Sequence, residues 1–207
     1  MNLIFHSLAY PVGTLGPGRR VAVWTAGCRK NCPGCLSPDM QAASSGRPIP
    51  TGKLARRVAA LALPLDGLTL SGGEPLDQGP AVSEFLMEVK ALKPGWNIML
   101  YSGFSREEIR RTAAGPAVLD WVDLLVDGPY DRDRPAANPW AGSGNQGLHA
   151  LTPEGRDMLS RAGEDAGELE FGLGPRGRAR LIGVGNASWR FQCLAFLEKR
   201  EQCRPNT

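Results

Sequence analysis

Apolar positions along the chain follow two spacings, and these separate predicted strands from predicted helices. Apolar side chains recur at every second residue in short runs, as at Val21 and Val23, and this spacing is typical of a strand. Side chains three or four residues apart, as in Val82, Phe85 and Val89, are typical of a helix. The predicted strands are 20–26, 65–70, 97–101 and 122–126, and the predicted helices are 51–63, 79–93 and 105–114.

Two of the predicted helices begin with residues that commonly cap helices. Thr51 precedes the apolar stripe of the first helix and is a candidate N-cap. Ser105 and Glu108 have the spacing of a capping box, in which each residue satisfies a backbone N–H of the other. Local hydrogen bonds are therefore expected to fix where these helices start.

The last third of the chain has weaker patterns. Residues 132–147 are typical of a loop. Residues 168–173 and 178–184 are predicted to pair as two strands, and residues 189–201 are predicted to form a last helix.

The alternation of strands and helices between residues 20 and 126 predicts βα units around a mostly parallel sheet. Cys28, Gly72, Ser102 and Asp127 each follow the carboxyl end of a predicted strand. Ligands of parallel α/β folds bind at that end of the sheet. We therefore expect an α/β fold in the form of an incomplete (β/α) barrel, because the chain is short for a closed eightfold one.

Length and composition suit one globular domain. The chain has 207 residues, of which 42% are hydrophobic and 22% charged, and these are ordinary values for a single core. We expect one domain over residues 1–207, with its core at about 12–185. The net charge of +3 is too small to indicate a nucleic-acid partner. No apolar run approaches the roughly 20 residues that cross a bilayer, and the N-terminus does not resemble a secretion signal, so a cytoplasmic location with no membrane partner is expected.

Three of the five cysteines are grouped, since Cys28, Cys32 and Cys35 form a C-x3-C-x2-C spacing. Grouped cysteines in a reducing compartment indicate metal binding more than disulfides. Iron–sulfur clusters are normally held by four thiolates, so three thiolates indicate a cluster with one iron left open. Structural zinc is the alternative, and its fourth ligand would be His6, His149 or a distant cysteine.

The other two cysteines, Cys193 and Cys203, lie near the end of the chain. Two thiolates separated by ten residues on a predicted helix are a poor site for a second cluster. We expect Cys193 to be a small apolar packing residue and Cys203 to be a tail residue.

A second motif, Gly72-Gly73-Glu74-Pro75, follows the second predicted strand. Glycines allow the backbone to approach a ligand closely, and Glu74 carries a charge that suits an ammonium group. The same residues are also typical of a tight turn between a strand and a helix. Taken together with the cysteine loop, the motif favours ligand binding.

Together, the two motifs resemble those of the radical S-adenosylmethionine (radical SAM) superfamily. The resemblance implies that Cys28, Cys32 and Cys35 bind a [4Fe–4S] cluster, whose fourth iron is chelated by the amine and carboxylate of SAM. It also implies that the glycine-rich motif contacts the methionyl amine. The cofactor-binding residues implied in this way are Gly72, Gly73, Glu74, Pro75, Ser102 and Asp127.

Within the superfamily, the chain resembles the activating proteins of anaerobic ribonucleotide reductases. Gly34 replaces the aromatic residue that most of the superfamily has before the third cysteine, and this variant is typical of the subgroup. Two positions depart from the subgroup, since Pro129 stands where a lysine is often found and Ala141 where an arginine is often found. The segments that carry the resemblance are 14–20, 101–104, 122–130 and 142–146.

The resemblance implies a radical mechanism. An external one-electron donor, such as flavodoxin or ferredoxin, reduces the cluster, and SAM is cleaved to methionine and a 5′-deoxyadenosyl radical. That radical abstracts a hydrogen atom from a glycine of a large glycyl radical enzyme, such as anaerobic ribonucleotide reductase. Two alternatives stay open at this point: a radical SAM enzyme that modifies a small molecule or a ribosomal peptide, and a non-catalytic iron–sulfur or zinc module.

Overall fold

A mixed α/β fold is seen in the computed structural model of the chain. The residues that the structure describes are 1–136, 138–162, 169–173 and 179–184. The helix predicted at 189–201, together with Cys193 and Cys203, lies outside the described residues.

A sheet of seven strands forms the centre of the fold. Its strands, β1 to β7, are Asn2–Val12, Arg20–Thr25, Arg47–Pro50, Gly67–Gly72, Asn97–Tyr101, Leu124–Asp127 and Gly147–Ala150. The order across the sheet is β3-β1-β2-β4-β5-β6-β7. Strands β2, β4, β5 and β6 run parallel, whereas β1, β3 and β7 are added in antiparallel pairs at the edges. The predicted α/β class is confirmed.

Helices form the connections between the parallel strands. Helices α1 to α5 are Thr51–Ala59, Gly79–Leu92, Arg106–Arg111, Gly115–Leu119 and Pro153–Ser160. Helix α1 precedes β4, α2 connects β4 to β5, and α3 and α4 connect β5 to β6, so the predicted βα units are confirmed. In the described part of the chain, none of the helices has the length and apolar character needed to cross a membrane.

The parallel strands are buried on both faces, and the two faces have different neighbours. Leu68, Leu70 and Leu100 point to one face, where they join the largest apolar cluster with residues of α1 and α2. Trp24 and Met99 alternate to the other face and belong to two smaller clusters. Continuous apolar strands of this kind are typical of a parallel sheet covered on both sides. The face opposite α1 and α2 is the one that carries the site described below.

Two helix boundaries differ from the prediction. Helix α1 starts at Thr51 itself, so Pro50 is the N-cap and the assignment of Thr51 as N-cap is wrong. The Thr51 hydroxyl instead donates to the carbonyl oxygen of Met1 at 3.2 Å. The helix predicted at 105–114 ends early, since α3 stops at Arg111. A separate helix, α4, follows from Gly115, and Pro116 in its first turn has no N–H with which to continue a helix from before.

The capping box at the start of α3 is confirmed. The Ser105 hydroxyl accepts from the Glu108 N–H at 3.2 Å, and the Glu108 carboxylate accepts from the Ser105 N–H at 2.7 Å. Two backbone N–H groups that have no partner inside the helix are thereby hydrogen-bonded. Helix α3 therefore begins shortly after the carboxyl end of β5 in the sequence. Strands β1, β3 and β7 and helices α4 and α5 were not predicted.

Strands β8 and β9, Glu170–Leu173 and Ala179–Ile182, form an antiparallel hairpin outside the main sheet. Glu170 is paired with Ile182 in its register. Within the described residues, this confirms the pairing that was predicted for residues 168–173 and 178–184. We refer to β8 and β9 as the C-terminal hairpin.

The buried face of α2 can be tested by truncation. Phe85 is fully buried in the largest cluster, so Phe85→Ala should lower the free energy of unfolding by about 3–5 kcal/mol. Met87, on the other face of the same helix, is 45% exposed, and Met87→Ala should change it by no more than about 0.5 kcal/mol. Urea denaturation followed by circular dichroism measures both. Equal effects would contradict the assignment of the buried face.

Candidate functional site

A cavity of about 650 Å³ lies at the carboxyl ends of the parallel strands. Its wall is built from the segments that follow β2, β4, β5 and β6, as expected for a ligand site in a parallel sheet. The predicted site residues that line it are Cys28, Cys32, Cys35, Gly72, Gly73, Glu74 and Ser102. Pro75 and Asp127 are not part of the wall. The structure therefore brings the cysteine loop and the glycine-rich motif together in one place.

The cysteine loop is held by its own backbone. All three thiols are free and half-buried. The Cys28 N–H donates to the Gln41 carbonyl oxygen at 2.9 Å, and the Cys35 N–H donates to the Cys32 carbonyl oxygen at 3.2 Å. The Ser37 N–H points at the Cys35 Sγ at 3.4 Å. All three cysteine residues line the same cavity.

Left-handed backbone inside the loop explains the residue before the third cysteine. Asn31 has a φ of 51° and Gly34 a φ of 68°, a region that favours glycine and tolerates asparagine. A Cβ at residue 34 would also lie 3.0 Å from the Cδ of Arg132. An aromatic residue at this position, as most of the radical SAM superfamily has, would be strained in this chain.

Two basic residues between the first and second cysteines attach the loop to the rest of the site. The Arg29 guanidinium donates to the Asp77 carboxylate at 2.9 and 3.0 Å, and the Arg29 N–H adds a third bond at 3.0 Å. The Lys30 ammonium lies 3.8 Å from the centre of the Phe104 ring and 3.7 Å from the Glu108 carboxylate. Sequence reasoning missed both contacts, because these partners are distant in sequence and carry no spacing signal.

The glycine-rich motif packs directly against the strand that leads into the cysteine loop. The Gly73 N–H donates to the Thr25 carbonyl oxygen at 2.9 Å, and the Glu74 N–H donates to the Gly27 carbonyl oxygen at 2.8 Å. Gly72 has a φ of 124°, and its Cβ would lie 2.3 Å from the backbone of Thr25. A Cβ at Gly73 would lie 2.2 Å from the Gly27 oxygen. The two glycines are therefore required by a close backbone approach.

Glu74 is a buried residue that joins two loops. Its side chain accepts from the Leu76 N–H at 2.9 Å, the Ser102 hydroxyl at 2.9 Å and the Gly103 N–H at 2.7 Å. Burial raises the pKa of Glu74 from 4.5 to about 7, although these three donors act in the opposite direction. The residue joins the loop after β4 to the loop after β5, and Ser102 takes part in the same contact.

Asp127 holds loops together at the neighbouring strand. Its carboxylate accepts from the Arg106 N–H at 2.6 Å, at the start of α3, and from the Gly147 N–H at 3.2 Å. It also pairs with the His149 Nε2 at 2.9 Å. These contacts place the residue between β6, β7 and α3. They correspond to the loop-capping role that an aspartate after a strand often has.

The late Gly-Ser-Gly-Asn-Gln segment folds onto the turn that follows Asp127. The Gln146 side chain donates to the Gly128 carbonyl oxygen at 2.9 Å and accepts from the Gly142 N–H at 2.7 Å. The Asn145 amide donates to the Pro129 carbonyl oxygen at 2.7 Å. Two segments singled out in the sequence are thus one structural unit at the edge of the cavity.

Part of the cavity wall, which we call its apolar end, carries apolar side chains that were not anticipated from the sequence. Leu15, Trp24, Met40 and Ile182 contribute to one apolar cluster and also line the cavity. The Tyr101 hydroxyl is buried here without a hydrogen-bond partner among the described residues. Burial raises the pKa of Tyr101, so this hydroxyl stays neutral. The cavity therefore has a polar end with thiols and an apolar end with one hydroxyl.

The donor chemistry of the polar end fits an iron–sulfur cluster. Burial raises the pKa of the Cys28 thiol, the backbone N–H groups of Lys30 and Asn31 lower it, and the charge of Glu74 raises it slightly. A bound metal group supplies the positive charge that favours the thiolate. Among the described residues, no group of three His, Cys, Asp or Glu side chains is arranged to hold a single metal ion. The three thiols and the side-chain-free glycine backbone face one space that is open to a larger group.

The close approach at Gly73 leads to a stability prediction. Gly73→Ala places a Cβ against backbone atoms of Gly27 and Met40, and should lower the free energy of unfolding by about 1–3 kcal/mol. It should also reduce the iron retained after anaerobic reconstitution, because the displaced strand end carries Cys28. Gly95→Ala is the matched control, since its Cβ meets nothing within 4 Å. A Gly73→Ala protein as stable as the control would contradict this packing.

The raised pKa of Glu74 predicts a pH dependence of the ligand-free chain. The folded state binds the Glu74 proton more tightly than the unfolded state, so this contribution to stability is fully present below about pH 4.5 and is lost as the pH rises through 7. The stability of the wild type relative to Glu74→Gln should therefore fall across that window. Urea denaturation of both proteins from pH 4 to 8 measures the difference. A difference that is constant with pH would show that the Glu74 proton is not retained.

Comparison with known proteins identifies the family. A family described as a 4Fe-4S single cluster domain matches residues 14–149. The anaerobic ribonucleoside-triphosphate reductase-activating protein of Escherichia coli strain K12 is 31% identical over 149 residues, which cover 69% of this chain and 96% of that protein. The proteins of the same name from phage T4 and Vibrio cholerae are each 32% identical, over 66% and 69% of this chain and 87% and 96% of their own lengths. The chain therefore belongs to the family of anaerobic ribonucleoside-triphosphate reductase-activating proteins.

Proposed function

We propose that this chain is a radical SAM enzyme that activates an anaerobic ribonucleotide reductase. Cys28, Cys32 and Cys35 hold a [4Fe–4S] cluster, and SAM binds beside it in the cavity. The target is a glycine of the reductase, a large glycyl radical enzyme. The observation that carries the proposal is the packing of Gly72 and Gly73 against the strand end that precedes Cys28, in the wall of a single cavity.

The residues of the chain supply orientation and exclusion of water. The chemistry that the cluster and SAM supply when bound is a 5′-deoxyadenosyl radical, which takes a hydrogen atom from the target glycine. Gly72 and Gly73 line the cavity without side chains, so their backbone groups are accessible to the methionyl part of SAM. Glu74 and Ser102 fix the loops after β4 and β5 to each other, which keeps that backbone in place.

Lys30 supplies a fixed positive charge beside the cysteine loop. Its side chain lines the cavity and is held by the Phe104 ring and the Glu108 carboxylate. Three thiolate ligands in one loop repel each other, and a nearby ammonium group offsets part of that repulsion. The Arg29–Asp77 ion pair holds the same loop at its outer side.

Pro75 and Asp127 act on the site indirectly. Pro75 opens the short 3-10 turn Pro75–Gln78, which carries Asp77 and so positions the cysteine loop. Asp127 fixes the start of α3 and the first residue of β7. Both residues position the segments that form the cavity wall, and neither is assigned a contact with SAM.

We also propose a fold type, an electron donor and a cellular location for this chain. The parallel strands β2, β4, β5 and β6, with their crossover helices, are the incomplete (β/α) barrel of the radical SAM type, and residues 1–207 form one domain. The half-buried cysteine loop is accessible to an external one-electron donor such as flavodoxin or ferredoxin. A cytoplasmic location agrees with the reducing conditions that free thiols require.

Electron paramagnetic resonance tests the proposal. The anaerobically reconstituted protein is mixed with a chemical reductant, SAM and an anaerobic ribonucleotide reductase from the same organism. We expect a cluster signal that changes on addition of SAM, release of 5′-deoxyadenosine, and a glycyl radical doublet on the reductase. SAM cleavage without that doublet would favour a small molecule or a ribosomal peptide as the substrate. A protein without any cluster signal would overturn the assignment as a radical SAM enzyme.

Cysteine variants test the ligand set in the same assay. Cys32→Ala should lose the cluster signal and reduce SAM cleavage to background, because only two thiolates of the loop remain. Cys193→Ala and Cys203→Ala are the matched controls and should retain wild-type iron content. Iron retained in Cys32→Ala, or lost in either control, would require a different set of ligands.

A further inference from the structure

The C-terminal hairpin lies beyond the part of the chain that the family match covers. That match ends at residue 149, whereas the hairpin begins at Glu170. Among the described residues, its two strands pair only with each other and do not join the main sheet. Its position therefore depends on contacts other than backbone hydrogen bonds to the seven-stranded sheet.

The end of the hairpin and the two residues that follow it form part of the cavity wall. Leu181, Ile182, Gly183 and Val184 all line the cavity. Ile182 is 8% exposed and packs in the apolar cluster that contains Leu15 and Trp24, and Val184 packs against the same cluster. A segment outside the family match thus supplies one side of the compartment in which the cysteine loop lies.

Glu170 holds the hairpin against the turn between β1 and β2. Its two carboxylate oxygens accept from the Gly13 N–H at 3.0 and 3.2 Å, and one of them accepts from the Thr14 hydroxyl at 3.3 Å. The Thr14 hydroxyl also lies 3.5 Å from the carbonyl oxygen of Ile182, so both strands of the hairpin meet the same turn. Hydrogen bonds to an ionised group are among the stronger ones in proteins.

The chemistry of this wall suits an uncharged peptide. The described hairpin residues in the wall carry aliphatic side chains or none. The Tyr101 side chain packs against the same cluster and also lines the cavity. A glycine-bearing peptide segment offers small and apolar groups to this wall. The charged methionyl part of SAM is suited instead to the polar end.

We infer that the C-terminal hairpin is a binding wall for the glycine-bearing segment of the partner enzyme, and that Glu170 is the residue that positions it. This inference rests on the proposed function. The wall acts on the partner segment and not on the cluster, since the three cysteines and the glycine-rich motif lie in loops after β2 and β4. Its loss should therefore weaken use of the partner more than the loading of iron.

Amide hydrogen exchange and steady-state kinetics of the reconstituted enzyme test this inference. In the wild type, adding the reductase should slow exchange at residues 181–184. In Glu170→Ala, exchange at these residues without the reductase should be faster by about tenfold or more, and the KM for the reductase should rise by about fivefold or more. Glu170→Gln keeps one acceptor oxygen and should give intermediate values. Glu154→Ala, an exposed change on α5, is the matched control and should behave as the wild type.

Leu181→Ala is a second variant, which changes the binding wall without changing the residue that attaches the hairpin. It leaves Glu170 in place, so exchange should stay within about threefold of the wild type while the KM for the reductase rises. The inference is overturned if neither variant raises this KM, or if the reductase gives no protection at residues 181–184. Protection without a glycyl radical on the reductase would support the binding wall while contradicting the proposed activation. Unchanged exchange in Glu170→Ala would remove Glu170 as the positioning residue.

Discussion

The site depends on the contact between two backbone segments, the end of β2 and the turn after β4. The N–H groups of Gly73 and Glu74 donate to carbonyl oxygens of Thr25 and Gly27, directly before Cys28. A Cβ on either Gly72 or Gly73 would come within 2.3 Å of that backbone. Because neither segment can move away without breaking parallel pairing of β2 with β4, the sheet itself fixes the distance between the cysteine loop and the glycine backbone.

Two buried ionisable side chains hold the parallel strands, one at each end. Arg20 is fully buried and donates to the Thr69 hydroxyl, to the Asn97 side chain and to three backbone carbonyl oxygens nearby. Burial lowers the pKa of Arg20 to about 10, so it stays charged at neutral pH. At the carboxyl ends of the strands, Glu74 joins the loops after β4 and β5 by accepting from Ser102 and Gly103. A buried charged or polar group without partners is costly, so each group favours the strand arrangement that satisfies it.

The sequence was informative where the relevant interactions are local. The alternation of apolar residues predicted the parallel strands, and Ser105 and Glu108 predicted the start of α3. Both patterns involve residues that are close together in the sequence. Partners distant in sequence gave no such signal. The contact of Arg29 with Asp77 depends on the fold, as does the attachment of Glu170 to Gly13, and both were missed. Strands β1 and β7, which lie outside the four parallel strands, were also missed, since their burial is only partial.

The two ends of the cavity have different origins in the chain. The cysteine loop and the glycine-rich motif of the polar end lie inside the family match, and their geometry follows from strand pairing and close backbone contacts that tolerate little change. The apolar end combines Leu15 and Trp24 with hairpin residues from beyond residue 149. Among the described residues, the hairpin contacts the rest of the fold through side chains and the turn between β1 and β2, and not through strand pairing with the main sheet. The proposed radical chemistry thus belongs to the part of the wall that the sheet fixes, and the proposed partner recognition to the part that side-chain contacts hold.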